Sequence, residues 1–166
     1  MKVGFLSDKN GFRAPLHPDS LQKYDKTQLF VEKDIFNNLD LTANDYKKLK
    51  VLNKTSLKQM DVVCFVDSVD IDVIKTLKPD AGVVGLFDAK TKKEIKKLRP
   101  DVSLYDFFQL PRISRAQNLD ALSSQANLLG YSSVLRASLE TSNVIPMMTT
   151  AAGNISPAKV LILGIG

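Results

Sequence analysis

Apolar positions in this chain alternate at first, then run together, and finally wind. Residues 2–7 alternate and give way to Asp8-Lys9-Asn10-Gly11, the pattern of a strand running into a loop. Residues 11–18 read as loop, and Pro18 with Asp19 can open a short helix through Tyr24. Residues 28–32 form a second strand. Residues 36–53 are polar and mixed, with a short helix expected around 43–49. The pattern then becomes regular. It predicts a buried strand at 61–66, a helix at 71–77 stopped before Pro79, a strand at 81–87, a helix at 90–98 stopped before Pro100, and a strand at 102–105. Strands alternating with helices at this spacing predict a parallel α/β sheet with right-handed crossovers.

The stretch PRISRAQNLDALSSQANLLG, residues 111–130, changes the period from two to 3.6. Ser114 followed by Gln117 has the form of a capping box, so a helix is expected over 115–139. At about 100° per residue, Leu119, Leu122, Ala126, Leu129 and Ala137 fall on one apolar stripe. Ala121, Leu128, Leu135 and Leu139 fall on a second. Between them runs a polar stripe of Gln117, Asp120, Ser124, Asn127 and Tyr131. A surface helix needs one apolar stripe. Two predict a helix packed on both sides, with its polar stripe facing a cleft.

A loop over 142–157 and a buried strand over 159–163 complete the pattern, ending in Gly164-Ile165-Gly166. VLILGIG is how a dinucleotide-binding unit opens: a buried strand, then glycines whose tight turn brings backbone N–H groups to a pyrophosphate. The third glycine, the helix and the acidic ribose partner do not follow. A plain strand with a glycine turn and a cofactor loop therefore both fit. A terminal strand without a partner is what a truncated chain would show.

Composition narrows the field only slightly. The 166 residues are 44% hydrophobic and 25% charged, ordinary for a globular domain with a real core. A formal charge of +5 suits anionic partners such as nucleotides but is too small to call for nucleic acid. The basic run 90–99 lacks interleaved aromatics and reads as a solvated helix face. Cys64 stands alone in an apolar run, so it reads as a core thiol in a reducing compartment. His17 is the sole histidine, and one histidine with one cysteine makes no metal site by spacing. No apolar run is long enough to span a bilayer, so any membrane role would come through partners.

PRISRAQNLDALSSQANLLGY, the later TAAGNISPAKV and the terminal LILGIG closely resemble the alanine dehydrogenase/pyridine nucleotide transhydrogenase family, most of all its proton-translocating transhydrogenase branch. The resemblance is strong over 111–166. It is weaker but collinear over the first 110 residues, where MKVGFLSDKNGFRAPLHP is similar to the family's opening strand and loop. It implies two Rossmann-like lobes with the second inserted into the first. The chain would then hold an N-terminal α/β lobe (1–114) with a Rossmann/flavodoxin-like, mostly parallel sheet. A connecting helix (115–141) and the loop and first strand of a truncated NAD-binding domain (142–166) would follow. By resemblance, Arg112, Gln117, Asp120 and Ser123 surround the nicotinamide of NAD, and Gly164 and Gly166 match the first two glycines of the phosphate loop. Gln117 and Asp120 are the residues expected to serve hydride transfer, by orienting the ring. The resemblance further implies hydride transfer between NADH and NADP+, with NADP on a partner component. Proton translocation would be done by membrane partners, and the protein would be cytoplasmic and peripheral on the inner membrane. A homodimer is also expected.

Plainer assignments exist for the same residues. Gln117 could be only the capping partner of Ser114, Asp120 could only favour the positive helix end, and Arg112 and Arg115 could be surface residues. An alanine dehydrogenase-like oxidoreductase is the rival activity. Family members of that kind use a lysine after the third-strand region and a histidine after the next strand. Here those stretches read VVCFVDSVD and VVGLFDAKT; Arg13 alone matches a substrate-binding arginine. A non-catalytic assembly or dimerisation lobe is the other rival. Most affinity for NAD comes from the pyrophosphate and adenosine half, so this chain by itself is expected to bind NADH weakly and to be inactive.

Overall fold

The apolar runs become six short parallel strands: β1 (Lys2–Phe5), β2 (Gln28–Glu32), β3 (Lys50–Leu52), β4 (Val62–Cys64), β5 (Gly82–Gly85) and β6 (Ser103–Asp106). The computed structural model describes residues 1–8, 13–23, 28–33, 35–36 and 49–164. The strands lie in the order β3-β2-β1-β4-β5-β6. The chain builds outward from β1 through β2 to β3, then returns to the other side of β1 and continues through β5 to β6. This is the doubly wound order, and its reversal falls between β1 and β4. Val3 is in register with Leu29 on one side and Val62 on the other.

Alternation along the strands divides the core into two clusters on opposite faces of the sheet. Leu6, Phe30, Val63 and Val83 belong to one, joined by Leu57 from α1 (Lys54–Leu57), Ile74 from α2 (Ile71–Thr76) and Ile95 from α3 (Ala89–Leu98). Val3, Phe5, Leu29 and Val31 belong to the other, with Leu16, Ile35 and Phe36 packed on them. Each helix begins on a short polar side chain. Asn53 and Ser56 form a reciprocal box at 2.8 Å in both directions. Asp70 accepts from the Asp72 N–H at 3.0 Å, and Asp88 accepts from the Thr91 N–H at 2.7 Å. Such caps satisfy the orphan donors of a helix start.

The last member of the basic run departs from its expected place on a solvated face. The Arg99 guanidinium turns inward and donates to the carbonyls of Ile74, Lys75, Leu77 and Lys78 at 2.9–3.2 Å, with Asp101 holding its other edge. It thereby closes the C-terminal end of α2, whose last carbonyls lack helical partners. β3 lies at the end of the stretch read as polar and mixed, and α1 follows it where no element was expected. A three-residue edge strand with two exposed positions carries no periodic signal. Residues 18–23 form a 3₁₀ turn, not an α-helix. Tyr24, the Lys9-Asn10-Gly11 turn and nearly all of the helix expected at 43–49 lie outside the described residues.

The chain divides into two compact units, Met1–Leu110 and Pro111–Gly166. The second contains the long helix α4 (Ala121–Glu140) and a hairpin of β7 (Met148–Thr150) and β8 (Gly153–Ile155), the latter within the stretch read as loop. Helix α4 starts later than its pattern predicts. Residues Ser114–Leu119 form a 3₁₀ segment with no side-chain cap, so the Ser114/Gln117 box does not form. Asp120 breaks that segment and caps α4 itself. No residue of α4 is buried. Leu128, Leu129, Leu135 and Leu139 are all exposed, so among the described residues of its own unit α4 lacks the expected packing on both sides. Residues 159–163 form no strand, and Val160 to Leu163 are exposed. A parallel strand exists only through a neighbour's ladder, and among the described residues none lies beside this segment.

Candidate functional site

At the start of α4, hydrogen bonds converge on Asp120. One carboxylate oxygen accepts from the Ser123 N–H at 3.0 Å and the other from the Ser123 hydroxyl at 2.6 Å. The Ser124 hydroxyl donates to the Asp120 carbonyl at 3.3 Å. The Ser123 hydroxyl, the Ser123 N–H and the positive charge of Arg112 hold the Asp120 carboxyl below the usual carboxylate range. It is thus ionised at neutral pH and a poor base. Two of its roughly four lone-pair directions are spent on the cap, leaving others for a ligand. Gln117 is exposed at the end of the 3₁₀ segment, where its carbonyl accepts the Asp120 N–H at 3.2 Å; Arg112 and Ser123 are also exposed. An anion, a hydroxyl, a carboxamide and a guanidinium in one neighbourhood can orient a polar ligand. They supply no nucleophile.

Gly164 adopts φ +86, the left-handed region that glycine enters freely, and a Cβ there would meet nothing. Its conformation, not crowding, is what calls for glycine. Gly166 lies outside the described residues. An open groove lies further along α4, lined by Leu129, Ser132, Ser133, Arg136, Ala137 and Glu140, and does not include Asp120.

A second polar cluster, which the sequence flagged only at Arg13, lies at the strand reversal of the first unit. Arg13 pairs with Asp67, and Asp8 stands 3.7 Å from the same nitrogen. The Ser68 hydroxyl donates to Asp8. Asp8 is the buried acid of the chain's described residues, 3% exposed. Burial and the Asp8 carboxylate push the Asp67 carboxyl above its ordinary value, against the pull of Arg13. The readable signal was positional: Asp8 and Asp67 each leave a strand at its C-terminal end, β1 and β4, which flank the reversal. Elsewhere, burial pushes the Cys64 thiol up to about 11, which leaves it inert at neutral pH. His17 is exposed and sits 3.4 Å from the Asp19 carboxylate. Among the described residues no cluster could hold a metal ion. None of their helices is long and apolar enough to cross a membrane.

A parallel sheet in doubly wound order places the chain among the Rossmann-like α/β proteins. No family model matches it. Its sequence is 47% identical over 187 aligned residues to an NAD(P) transhydrogenase subunit alpha of Rickettsia prowazekii, covering 100% of this chain and 47% of that protein. The corresponding alpha subunit of Rhodospirillum rubrum is 38% identical over 97 residues, 57% of this chain and 25% of the relative. The fold is similar to the crystal structure of transhydrogenase from Sinorhizobium meliloti, with a TM-score of 0.84 and 28% identity over 95% of this chain and 50% of that one. An L-alanine dehydrogenase shares the fold at a TM-score of 0.55 and 16% identity, over 69% of this chain and 35% of that one. The chain belongs to the alanine dehydrogenase/pyridine nucleotide transhydrogenase family, and its curated relatives are transhydrogenase alpha subunits. It spans about half the length, or less, of the relatives it matches.

Proposed function

We propose that this chain is the N-terminal part of the NAD(H)-binding component of an NAD(P) transhydrogenase. The observation that carries this reading is the 47% identity, over the whole chain, to a transhydrogenase alpha subunit. The reaction is hydride transfer between NADH and NADP+, with NADP on a partner component. Membrane partners couple it to proton translocation and hold the protein at the inner face of the membrane. The protein also pairs with a second copy of itself, a reading supported by the exposed apolar residues of α4.

The donor set around Asp120 suits a nicotinamide. The bound nucleotides supply the hydride chemistry, and the protein is left with orientation and exclusion of water. Asp120, already ionised, accepts from a carboxamide N–H. Ser123 tethers the Asp120 carboxylate in one rotamer, and Arg112 places a cation beside the ribose. Gln117 donates and accepts, and so reaches toward a second nucleotide. Gly164 and Gly166 open the phosphate loop. No proton need move through these residues, in keeping with the depressed Asp120 carboxyl.

Amino-acid oxidation is the weaker reading. Arg13, the one residue matching a substrate arginine, is engaged by Asp67. Transient kinetics on the assembled transhydrogenase test the preferred reading. Asp120→Asn and Gln117→Ala should slow hydride transfer more than they weaken NADH binding, because they act on the ring and not on the pyrophosphate half. Unchanged transfer in both variants would refute the assignment.

A further inference from the structure

The sheet reversal brings together residues that lie far apart in the chain. β1 and β4 are neighbours, with Phe5 opposite Cys64. The segments leaving them are pinned by backbone bonds: Leu6 N–H to the Cys64 carbonyl at 2.9 Å, Phe65 N–H to Val84 at 3.1 Å, and Leu86 N–H to Val66 at 2.8 Å. In sheets wound both ways, the crevice outside the strand ends at the reversal is the usual seat of a ligand. In this chain the side chains that stand at that place are Arg13, Asp8, Asp67 and Ser68.

The charges are distributed unevenly between interior and surface. The Asp8 side chain is 1% exposed and takes the Ser68 hydroxyl, so it belongs to the framework. The side chains of Arg13 and Asp67 are 35% and 39% exposed, so they form the mouth. A guanidinium open at such a mouth is a receptor for carboxylates, which it binds through two parallel hydrogen bonds. In this chain the guanidinium already has carboxylates, Asp67 in direct contact at the mouth and Asp8 behind it at 3.7 Å.

We propose that Asp67 serves as an internal carboxylate that occupies Arg13 and shuts the crevice to small carboxylate-bearing ligands. An incoming carboxylate has to displace Asp67 from Arg13 and then meets the charge of Asp8. Both costs fall on the ligand, which is how a site discriminates by repulsion as well as by attraction. Asp67 is thus a specificity-determining residue. The inference concerns the first unit alone and does not rest on the nucleotide assignment.

The test is a calorimetric titration of the chain with acetate and with oxalate. The unmodified protein should show no saturable binding. Asp67→Ala and the isosteric Asp67→Asn should gain saturable oxalate binding, with a Kd at least about tenfold below the highest oxalate concentration at which the parent shows none. Arg13→Gln added to either should abolish the gain. Asp67→Glu, which restores a carboxylate, should keep the crevice shut. Circular dichroism confirms that each variant is folded, and Asp67→Asn keeps the side-chain shape should the alanine variant fail. Arg13-dependent binding by the unmodified protein would overturn the proposal. Folded Asp67 variants that bind no better than the parent would overturn it equally.

Discussion

Gly85 ends β5, and a side chain there has nowhere to go. A Cβ built on it would lie 2.7 Å from two ring atoms of Phe65 and 3.0 Å from a third. Phe65 is 4% exposed and meets Phe87 edge to face, with centroids 5.1 Å apart, so its ring cannot swing aside freely. Gly85→Ala therefore sets two effects against each other. Restricting the unfolded chain stabilises by about 0.4–1 kcal/mol. Forcing an extra carbon into a packed core costs about 1–3 kcal/mol. The clash is with a rigid ring, so the second effect wins, and a net loss of about 1–2 kcal/mol is expected. Gly82, on the same strand, is the control. Its added Cβ would lie 3.4 Å from Tyr105 and from Val62, an ordinary contact, so the unfolded-chain effect stands unopposed and Gly82→Ala should be neutral or stabilise by up to about 1 kcal/mol. Urea unfolding of both variants, and of Gly85→Ala in a Phe65→Leu background, isolates the contact. The penalty should shrink in that background. A Gly85→Ala protein as stable as the parent, or a penalty indifferent to Phe65, would refute the reasoning. The point bears on the crevice as well, because Phe65 leads into the turn that carries Asp67.

Two further outcomes follow from the same structure. Arg99→Ala should destabilise the first unit by about 2 kcal/mol in urea unfolding, because four carbonyls in and just after the last turn of α2 lose a charged donor. Arg99→Lys should recover only part of that, since an ammonium cannot fork across four acceptors. Sedimentation at increasing concentration should show self-association through the exposed leucines of α4; Leu128→Glu with Leu135→Glu should reduce it, and a parent protein that stays monomeric at high concentration would argue against it.

The Asp120 and Arg13 clusters place ionised groups to different ends. Asp120 is tied to its own helix, and its bonds to Ser123 span three residues. Such a local motif leaves spare acceptor capacity for a ligand. Arg13 is tied across 54 residues to Asp67, and Asp8 across 60 to Ser68. These bonds join separate strand exits, and they consume the charge that a carboxylate-binding crevice would need to leave free.

Local order was legible without coordinates. Alternation, buried apolar runs and proline stops marked β1, β2, β4, β5, β6, α2 and α3, because each signal acts within a turn or two of its own residue. The glycine and polar pattern from Pro111 onward carried the family resemblance. Tertiary structure alone decided the rest. The strand order sets Asp8 beside Ser68. β3 exists only because β2 offers it a ladder, and the apolar run 159–163 forms no strand because no described residue offers it one. The helix start moved from Ser114 to Asp120, where the backbone geometry lets a carboxylate reach the Ser123 N–H. Propensity and periodicity describe what a segment can bury or cap. Which neighbour completes a ladder or answers a charge depends on contacts between residues far apart in the chain, and those come into being only when it folds.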